Sequence, residues 1–343
     1  MSTSSRRDIT LDLACGILII RMVLKHALQW AQVTHYDFYE WMNIFFFIMP
    51  WFFFKSGMFF KRKPAQIVAS TGLKHLIVPL LSMTFVGHLI ICVNDIIEGG
   101  HPMTDYWFKP LYEIICFGST EGNLALWFLL SLFGVRILYN MFSADLNPIS
   151  ILFLTMIGSL AIFHFHLVIP YYLGSTMAGL FFFTMGNMLK DRQYNKWVWT
   201  ASFLVYLIHM FFIPSFVDMR SGTLLEGYYE VWMIGSVAGC ITLNGACRWG
   251  IIFAKRMAER YHQIRMLSFI PRSIMAIGES SLIIYLFHWI FLMSFSLLLY
   301  DLPYFNGKHR WEYFTLSCIF TVVGLFVIYK YKNSKIIKFL IGE

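Results

Sequence analysis

Charged residues are scarce in this chain of 343 residues: only 13% of it is Asp, Glu, Lys or Arg, whereas 58% is hydrophobic. A soluble globular protein carries about 25% charged residues. A compact soluble protein with so few charges lacks the polar side chains that cover such a surface. The composition therefore excludes a soluble enzyme and a disordered regulator, and it is typical of a protein that crosses a membrane several times.

Cysteines are also few, six in all and widely spaced, which excludes a secreted scaffold held together by disulfides. Cys92 and Cys116 flank a segment that we place outside the membrane, where they either form a disulfide or remain free thiols. The short motifs of zinc proteases, thiol redox sites, P-loops and dinucleotide folds are absent. We therefore expect no metal site.

Long apolar runs dominate the sequence. A helix needs about 20 apolar residues to cross a bilayer core of about 30 Å. Ten runs approach that length: 11–30, 43–60, 75–93, 123–142, 149–167, 170–189, 197–214, 229–253, 277–300 and 312–330. No soluble segment or internal repeat separates them. We predict an all-α polytopic integral membrane protein with about ten transmembrane helices, forming a single domain over residues 1–343.

The net charge of +8 reflects where the basic residues lie. Such a surplus can indicate nucleic-acid binding, but the cytoplasmic loops of membrane proteins are themselves enriched in Lys and Arg. With the N-terminus placed inside, nineteen Lys and Arg residues fall in inner segments and four in outer segments. This bias predicts that both termini are cytoplasmic, and we expect no nucleic-acid partner.

Ionisable residues within the apolar runs are candidate functional residues, because lipid penalises charge. The first run contains Arg21, Lys25 and His26. Imidazole accepts and returns a proton near neutral pH, as acyl transfer to a hydroxyl requires. From the residues alone, His26 either does such chemistry or is satisfied by a neighbouring helix. Lys55, in the second run, either binds a ligand or extends to the cytoplasm.

A basic segment follows the second run, at residues 61–79. It is either an ordinary cytoplasmic loop or a mouth that binds the phosphates of an anionic substrate. Its basic residues are Lys61, Arg62, Lys63, Lys74 and His75.

The ninth run carries three polar residues, Ser281, Tyr285 and His288, at a spacing that places them on one helix face. A polar stripe in an apolar span is expected to face the bundle interior or a cavity.

Six short segments of the chain form an ordered set of motifs. They are LDLACGILIIRMVLKH (11–26), MPWFFFKSGMFF (49–60), LKHLIVPL (73–80), LWFLLSLF (126–133), IPYYLGSTMAGLFFFTMGNMLK (169–190) and IGESSLIIYLFH (277–288). Together they resemble the family 3 membrane acyltransferases, in particular the short sugar O-acetylase-like members without a fused extracytoplasmic domain. The resemblance covers most of the chain.

This resemblance implies that an acyl group, usually acetyl from cytosolic acetyl-CoA, passes to a hydroxyl of a saccharide. His26 matches the family's catalytic histidine, and His288 and Tyr285 match the polar face of its last motif, so all three are expected to be catalytic. The residues expected to bind the donor are Lys55, Arg62, Lys63 and Lys74.

The expected partners follow from the same resemblance. They are acetyl-CoA or another acyl-CoA such as succinyl-CoA, a cell-surface or lipid-linked saccharide, and the lipid bilayer. The expected location is the bacterial cytoplasmic membrane.

One position departs from the family pattern. The family usually has Arg or Lys eleven residues before the histidine, where this chain has Cys15. Eleven residues return to nearly the same face of a helix, so the missing charge would have lain on the side of His26. We hypothesise that Lys55 on the next helix supplies it.

Two other functions are compatible with the residues. The protein is alternatively a saccharide or lipid exporter whose polar residues line a path. It is otherwise a non-catalytic partner of a polysaccharide synthase, which the loss of charge at Cys15 would favour.

Overall fold

Helices form most of the structure that is described. The computed structural model describes residues 8–33, 42–99, 103–165, 167, 169–260, 269–299 and 309–343, and 81% of these residues are helical. The helices are α1 (Ile9–Trp30), α2 (Ile48–Met58), α3 (Ala65–Glu98), α4 (Met103–Phe117), α5 (Trp127–Asp145), α6 (Pro148–His164), α7 (Tyr171–Leu189), α8 (Lys196–Phe211), α9 (Tyr229–Arg260), α10 (Phe269–Glu279), α11 (Ser281–Leu299), α12 (Arg310–Lys330) and α13 (Lys335–Leu340).

Each of the ten apolar runs contains a helix, so the all-α prediction is confirmed. Within the described ranges, the one sheet is an antiparallel hairpin of β1 (Phe216–Asp218) and β2 (Thr223–Glu226). Two short 3₁₀ segments, Met42–Phe45 and Leu124–Leu126, precede α2 and α5.

Many of the helices expose apolar faces that suit lipid. In α12, for example, Val322 and Phe326 are largely exposed. Among the described residues, five helical segments are long and apolar enough to cross a membrane: Ala65–Glu98, Leu124–Asp145, Tyr229–Met257, Ser281–Leu299 and Arg310–Lys330. The chain is an integral membrane protein, while the count of ten spans and the cytoplasmic termini stay predictions.

The basic segment is more ordered than a loop. Helix α3 begins at Ala65 and runs through Lys74, with a wider π-helical turn at Leu73–Ile77 just before Pro79. Proline lacks an N–H and its ring clashes with the carbonyl four residues earlier. The wider turn accommodates this clash without ending the helix.

Helix α4 lies in a segment that the ten apolar runs leave out. Phe108, Leu111, Tyr112 and Ile115 recur at helical spacing and are all exposed, so the period rather than the mean hydropathy marks this helix. All six cysteines are free thiols in the structure, and Cys116 in α4 is not bonded to another cysteine.

The short helix α2 is held by a close approach to α7. A Cβ added at Gly57 would overlap the backbone carbonyl of Phe183, and one added at Gly186 would overlap that of Phe54. The two backbones therefore touch, as is typical of membrane helices that meet at small residues. This contact fixes the rotation of α2 about its own axis, and with it the position of Lys55.

Helix α1 makes a similar backbone contact with α10, where Gly278 lies against the carbonyl of Asp12. Because α10 is followed directly by α11, this contact places α11 beside α1. The two helices that carry His26 and His288 are thus adjacent.

Substitution of Gly186 tests the backbone contact. We expect Gly186→Ala to lower the free energy of unfolding by about 1–3 kcal/mol, because the new methyl group overlaps a carbonyl that cannot move independently. Thermal unfolding followed with a thiol-reactive dye measures this, since Cys15 and Cys240 are buried free thiols.

Gly250→Ala is the matched control, because nothing lies near an added Cβ at that exposed helical position. It should be neutral or stabilising by up to about 1 kcal/mol through helix propensity. Equal melting temperatures for the two variants would contradict the role of the α2–α7 contact.

Candidate active site

His26 on α1 and His288 on α11 lie against each other. Their ring centroids are 5.4 Å apart and the rings are stacked at an interplanar angle of 27°. His288 is fully buried, whereas His26 is partly exposed. The sequence singled out both residues, and the structure brings them together.

The hydrogen bonds of the pair determine the tautomer of each neutral ring. Nδ1–H of His26 donates to Oε1 of Gln29 at 2.9 Å, and Nδ1–H of His288 donates to the carbonyls of Ile284 and Tyr285 at 3.0 and 2.9 Å. With Nδ1 as the donor, Nε2 of each neutral ring carries the lone pair. Nε2 of His288 is buried without a partner among the described residues. The pair therefore provides two nitrogen atoms that can accept a proton.

Tyr285 also lies at this place, one turn before His288. Its hydroxyl donates to the backbone carbonyl of Ala125, and Asn123 Nδ2 donates to the carbonyl of Leu286 at 3.1 Å. These bonds attach the segment before α5 to α11. A catalytic role for Tyr285 stays a prediction, and the bond to Ala125 would have to break for its hydroxyl to act.

A cavity of about 570 Å³ extends from Tyr285 toward the start of α3, and we call it the basic cavity. Its walls are mainly apolar and include Phe52, Phe128 and Phe183. The basic residues that line it are Lys55, Lys61, Lys63, His75 and Arg136. A mainly apolar cavity with several cations suits a long anionic ligand.

The four donor residues expected from the sequence divide into two groups. Lys55 and Lys63 line the basic cavity. Lys55 Nζ lies 5.3 Å from the ring centroid of Trp51. The side chain of Asn140 accepts a hydrogen bond from the backbone N–H of Lys63 at 3.1 Å and donates one to its carbonyl at 2.9 Å. Arg62 and Lys74 are exposed and do not line this cavity, so their role as donor ligands stays a prediction.

Arg136 is a candidate residue that the sequence reasoning missed. It lies halfway along α5 and lines the basic cavity, and it has no hydrogen-bond or ion-pair partner among the described residues. An arginine inside a span is costly unless something pairs with it. The charge count could have identified Arg136, because it is one of the basic residues that belong to neither the inner nor the outer segments.

The two cations of α1, Arg21 and Lys25, have hydrogen-bond partners within the protein. Arg21 donates to the carbonyl of Met42 at 3.0 and 2.8 Å, and Lys25 donates to Oδ1 of Asn43 at 3.2 Å. Both residues tie α1 to the 3₁₀ segment before α2. Cys15 is fully buried and carries no charge into the site.

A second cavity, of about 510 Å³, lies on the other side of the histidine pair. We call it the aromatic cavity, and its lining is Gln29, Trp30, Gln32, Trp289 and Ser296. The Trp289 ring meets His26 edge-on at 5.1 Å between centroids, and it meets Trp30 at 5.7 Å.

The positions of the lining residues along α1 and α11 place the two cavities on opposite sides of the histidine pair. On α11, Tyr285 lines the basic cavity and Trp289 the aromatic cavity, with His288 between them. On α1, Ile19 and Trp30 line the two cavities in the same way, on either side of His26.

Apolar helices around a histidine pair define a helical membrane protein with a candidate site for proton transfer. The model of the family 3 acyltransferase domain matches residues 8–330. The chain therefore belongs to the family 3 acyltransferases and is a membrane acyltransferase, as the six sequence motifs predicted. No curated protein and no solved structure matches it.

Replacing Arg136 tests whether its charge is unsatisfied in the absence of a ligand. We expect Arg136→Met to raise the free energy of unfolding of the ligand-free protein by about 1–3 kcal/mol, because an apolar side chain replaces a partly buried charge. Thermal unfolding without substrate measures the change.

Arg21→Met is the matched control with the opposite sign. It removes two hydrogen bonds to the Met42 carbonyl, so we expect a loss of about 1–3 kcal/mol. Destabilisation of both variants to the same extent would show that Arg136 is paired within the protein.

Proposed function

We propose that the protein is an O-acyltransferase that moves an acyl group, most simply acetyl, from cytosolic acyl-CoA to a hydroxyl of a saccharide. The observation that carries this proposal is the position of the histidine pair, which lies between a basic cavity and an aromatic cavity. In a bacterial cytoplasmic membrane, acyl-CoA lies on one side and cell-surface or lipid-linked saccharides on the other.

The basic cavity suits the donor. CoA carries phosphate groups at one end and a long, uncharged pantetheine arm that ends in the thioester. The phosphates pair with Lys61, Lys63 and the deeper cations Lys55 and Arg136, since Lys and Arg bind phosphate oxygens strongly. The arm runs between the aromatic walls toward Tyr285, and this places the thioester near the histidines.

The transfer needs one proton to move. As the acceptor oxygen attacks the thioester carbonyl carbon, His26 Nε2 takes the hydroxyl proton, the C–O bond forms and the C–S bond breaks. The proton then passes to the departing CoA sulfur, which leaves as a thiol. The alternative is that Nε2 briefly carries the acyl group itself. In either route, Gln29 holds Nδ1–H and stabilises the imidazole ring in this orientation.

His26 is the first residue to test. We expect His26→Ala to lower acyl transfer by at least about 10²-fold, the usual contribution of a general base. Label transfer from [¹⁴C]acetyl-CoA to membrane glycan, together with release of the CoA thiol, measures the activity of the purified protein returned to glycan-containing membranes.

His164→Ala is the control, because His164 is exposed and pairs with Glu230 at 2.6 Å, away from both cavities. It should retain activity. If the wild-type protein moves a saccharide across vesicles without consuming acetyl-CoA, it is an exporter. If it shows neither activity and co-purifies with a glycosyltransferase, it is a non-catalytic partner.

The donor cations make a separate prediction. We expect Arg136→Gln and Lys55→Met each to raise the KM for acetyl-CoA by about 10-fold or more, because each removes a charge-assisted hydrogen bond. The KM for acetyl-pantetheine, which lacks the nucleotide phosphates, should not change. Steady-state kinetics with both donors separates phosphate binding from a general loss of structure.

Arg62→Gln is the control for this experiment, since Arg62 is exposed and lies outside the lining of the basic cavity. Full activity of Lys55→Met at low acetyl-CoA would contradict the hypothesis that Lys55 replaces the charge missing at Cys15. An equal KM increase with acetyl-pantetheine would contradict phosphate binding.

A further inference from the structure

The aromatic cavity has a lining that differs sharply from that of the basic cavity. Its described lining consists of two indoles, two carboxamides and one hydroxyl, with no charged side chain. Carboxamides and hydroxyls both donate and accept hydrogen bonds. Indole rings offer a broad apolar face with a polar N–H at one edge. The cavity therefore suits an uncharged ligand that combines an apolar face with many hydroxyl groups.

The position of the cavity relates it to the reacting atoms. Trp289 meets the His26 ring edge-on at 5.1 Å, and Gln29 both lines the cavity and accepts the hydrogen bond from His26. A ligand that stacks on Trp289 thus contacts a ring that is itself in contact with the imidazole.

Two features concern the polar groups of the site. Nε1–H of Trp289 is buried and has no acceptor among the described residues, so it is a donor that the protein leaves unpaired there. Gln32 is the non-glycine residue with a positive φ, 54°, in the described part of the chain. Its carbonyl accepts a hydrogen bond from Arg310 at 2.9 Å, which holds the end of α1 against α12. A positive φ is usual for a residue that ends a helix in this way, since the N–H of Val33 donates back to the carbonyl of Leu28 at 2.9 Å.

The structure has another outer candidate for a sugar, a cavity of about 550 Å³ between α3 and α4. Its lining includes Asp95, Lys109, Glu113 and Glu121. Lys109 already pairs with Glu121 at 2.5 Å and with Glu113 at 4.0 Å. The lining includes neither histidine of the pair nor Trp289, so this cavity is less suited to present a hydroxyl for acylation.

We infer that the aromatic cavity is the acceptor subsite and that it binds one pyranose ring, stacked on Trp289 with a ring hydroxyl toward His26. This inference rests on the proposed function. The axial C–H groups of one sugar face contact the indole, and the equatorial hydroxyls bond to Gln29, Gln32 and Ser296. Selection between sugars then depends on which hydroxyls the carboxamides can reach.

Saturation-transfer NMR on the full chain in lipid nanodiscs tests the inference. Glycoside detergents are avoided because their head groups would compete for the site. The probes are methyl β-D-glucopyranoside, methyl α-D-mannopyranoside and methyl N-acetyl-β-D-glucosaminide. D-Glucitol serves as the matched probe, since it has the hydroxyls but no ring face. We expect saturation of the ring C–H protons for at least one glycoside and none for glucitol.

The variants locate the signal. Trp289→Leu should reduce the glycoside signal at least fivefold, whereas Trp289→Phe, which keeps an aromatic face, should retain most of it. Trp197→Leu is the control, because Trp197 is 73% exposed at the start of α8 and lines none of the described cavities. The Phe variant also covers the case in which the Leu variant fails to fold.

No ring signal with any of the glycosides overturns the inference, as does a signal that survives Trp289→Leu. The second result would move the sugar to the cavity between α3 and α4. The measurement uses no acyl donor, so its failure is distinct from failure of the proposed function. If acyl transfer occurs but does not depend on Trp289, the proposed function stands and this subsite is wrong. If a glycoside binds at Trp289 but no acyl transfer occurs, the subsite stands and the proposed function is wrong.

Discussion

A bilayer interior offers no water to an unsatisfied charge or hydrogen-bonding group, and this constraint decides where the polar side chains of this protein lie. Arg21 and Lys25 meet it by bonding to the segment before α2. Arg136 meets no such partner among the described residues and lines a cavity instead. The buried Nε2 of His288 is likewise unpaired there. At the site, Arg136 and Nε2 of His288 thus lack a partner among the described residues, whereas Arg21 and Lys25 are satisfied by the segment before α2.

The scaffold combines close backbone contacts at glycines with a core of buried aromatic and aliphatic side chains. Between membrane helices, apolar side chains gain little over lipid, so close approach at small residues contributes much of the packing. The contacts at Gly57 and Gly186 fix α2 on α7, and the contact at Gly278 fixes α10 on α1. Lys55 and the histidine pair are therefore positioned by glycine contacts: Gly57 lies on the helix of Lys55, and Gly186 and Gly278 lie on neighbouring helices.

The sequence predicted the helices and part of the site. Mean hydropathy located all ten apolar runs, and the motifs identified His26 and His288 separately. It did not predict that their rings stack, because they belong to opposite ends of the chain and only the helix packing joins them. From the sequence, Arg62 and Lys63 have the same expected role. In the structure Lys63 lines the basic cavity and Arg62 does not, because the side chains of consecutive residues leave the backbone in different directions. The sequence prediction also missed α4, whose helical period is clear but whose apolar residues are interrupted by Asp105, Lys109 and Glu113.

The position of Cys15 is explained by the same geometry. An anion in a cavity responds to its distance from each charge and not to the helix that carries the charge. In this chain Lys55 from α2 and Arg136 from α5 line the basic cavity, while Cys15 on α1 is fully buried and lies outside its lining. A positive charge absent from the first helix can therefore be supplied by a neighbouring wall, provided that the wall borders the same space. Arg136 borders the basic cavity from the middle of α5, so the absence of a charge at Cys15 does not leave this cavity without cations.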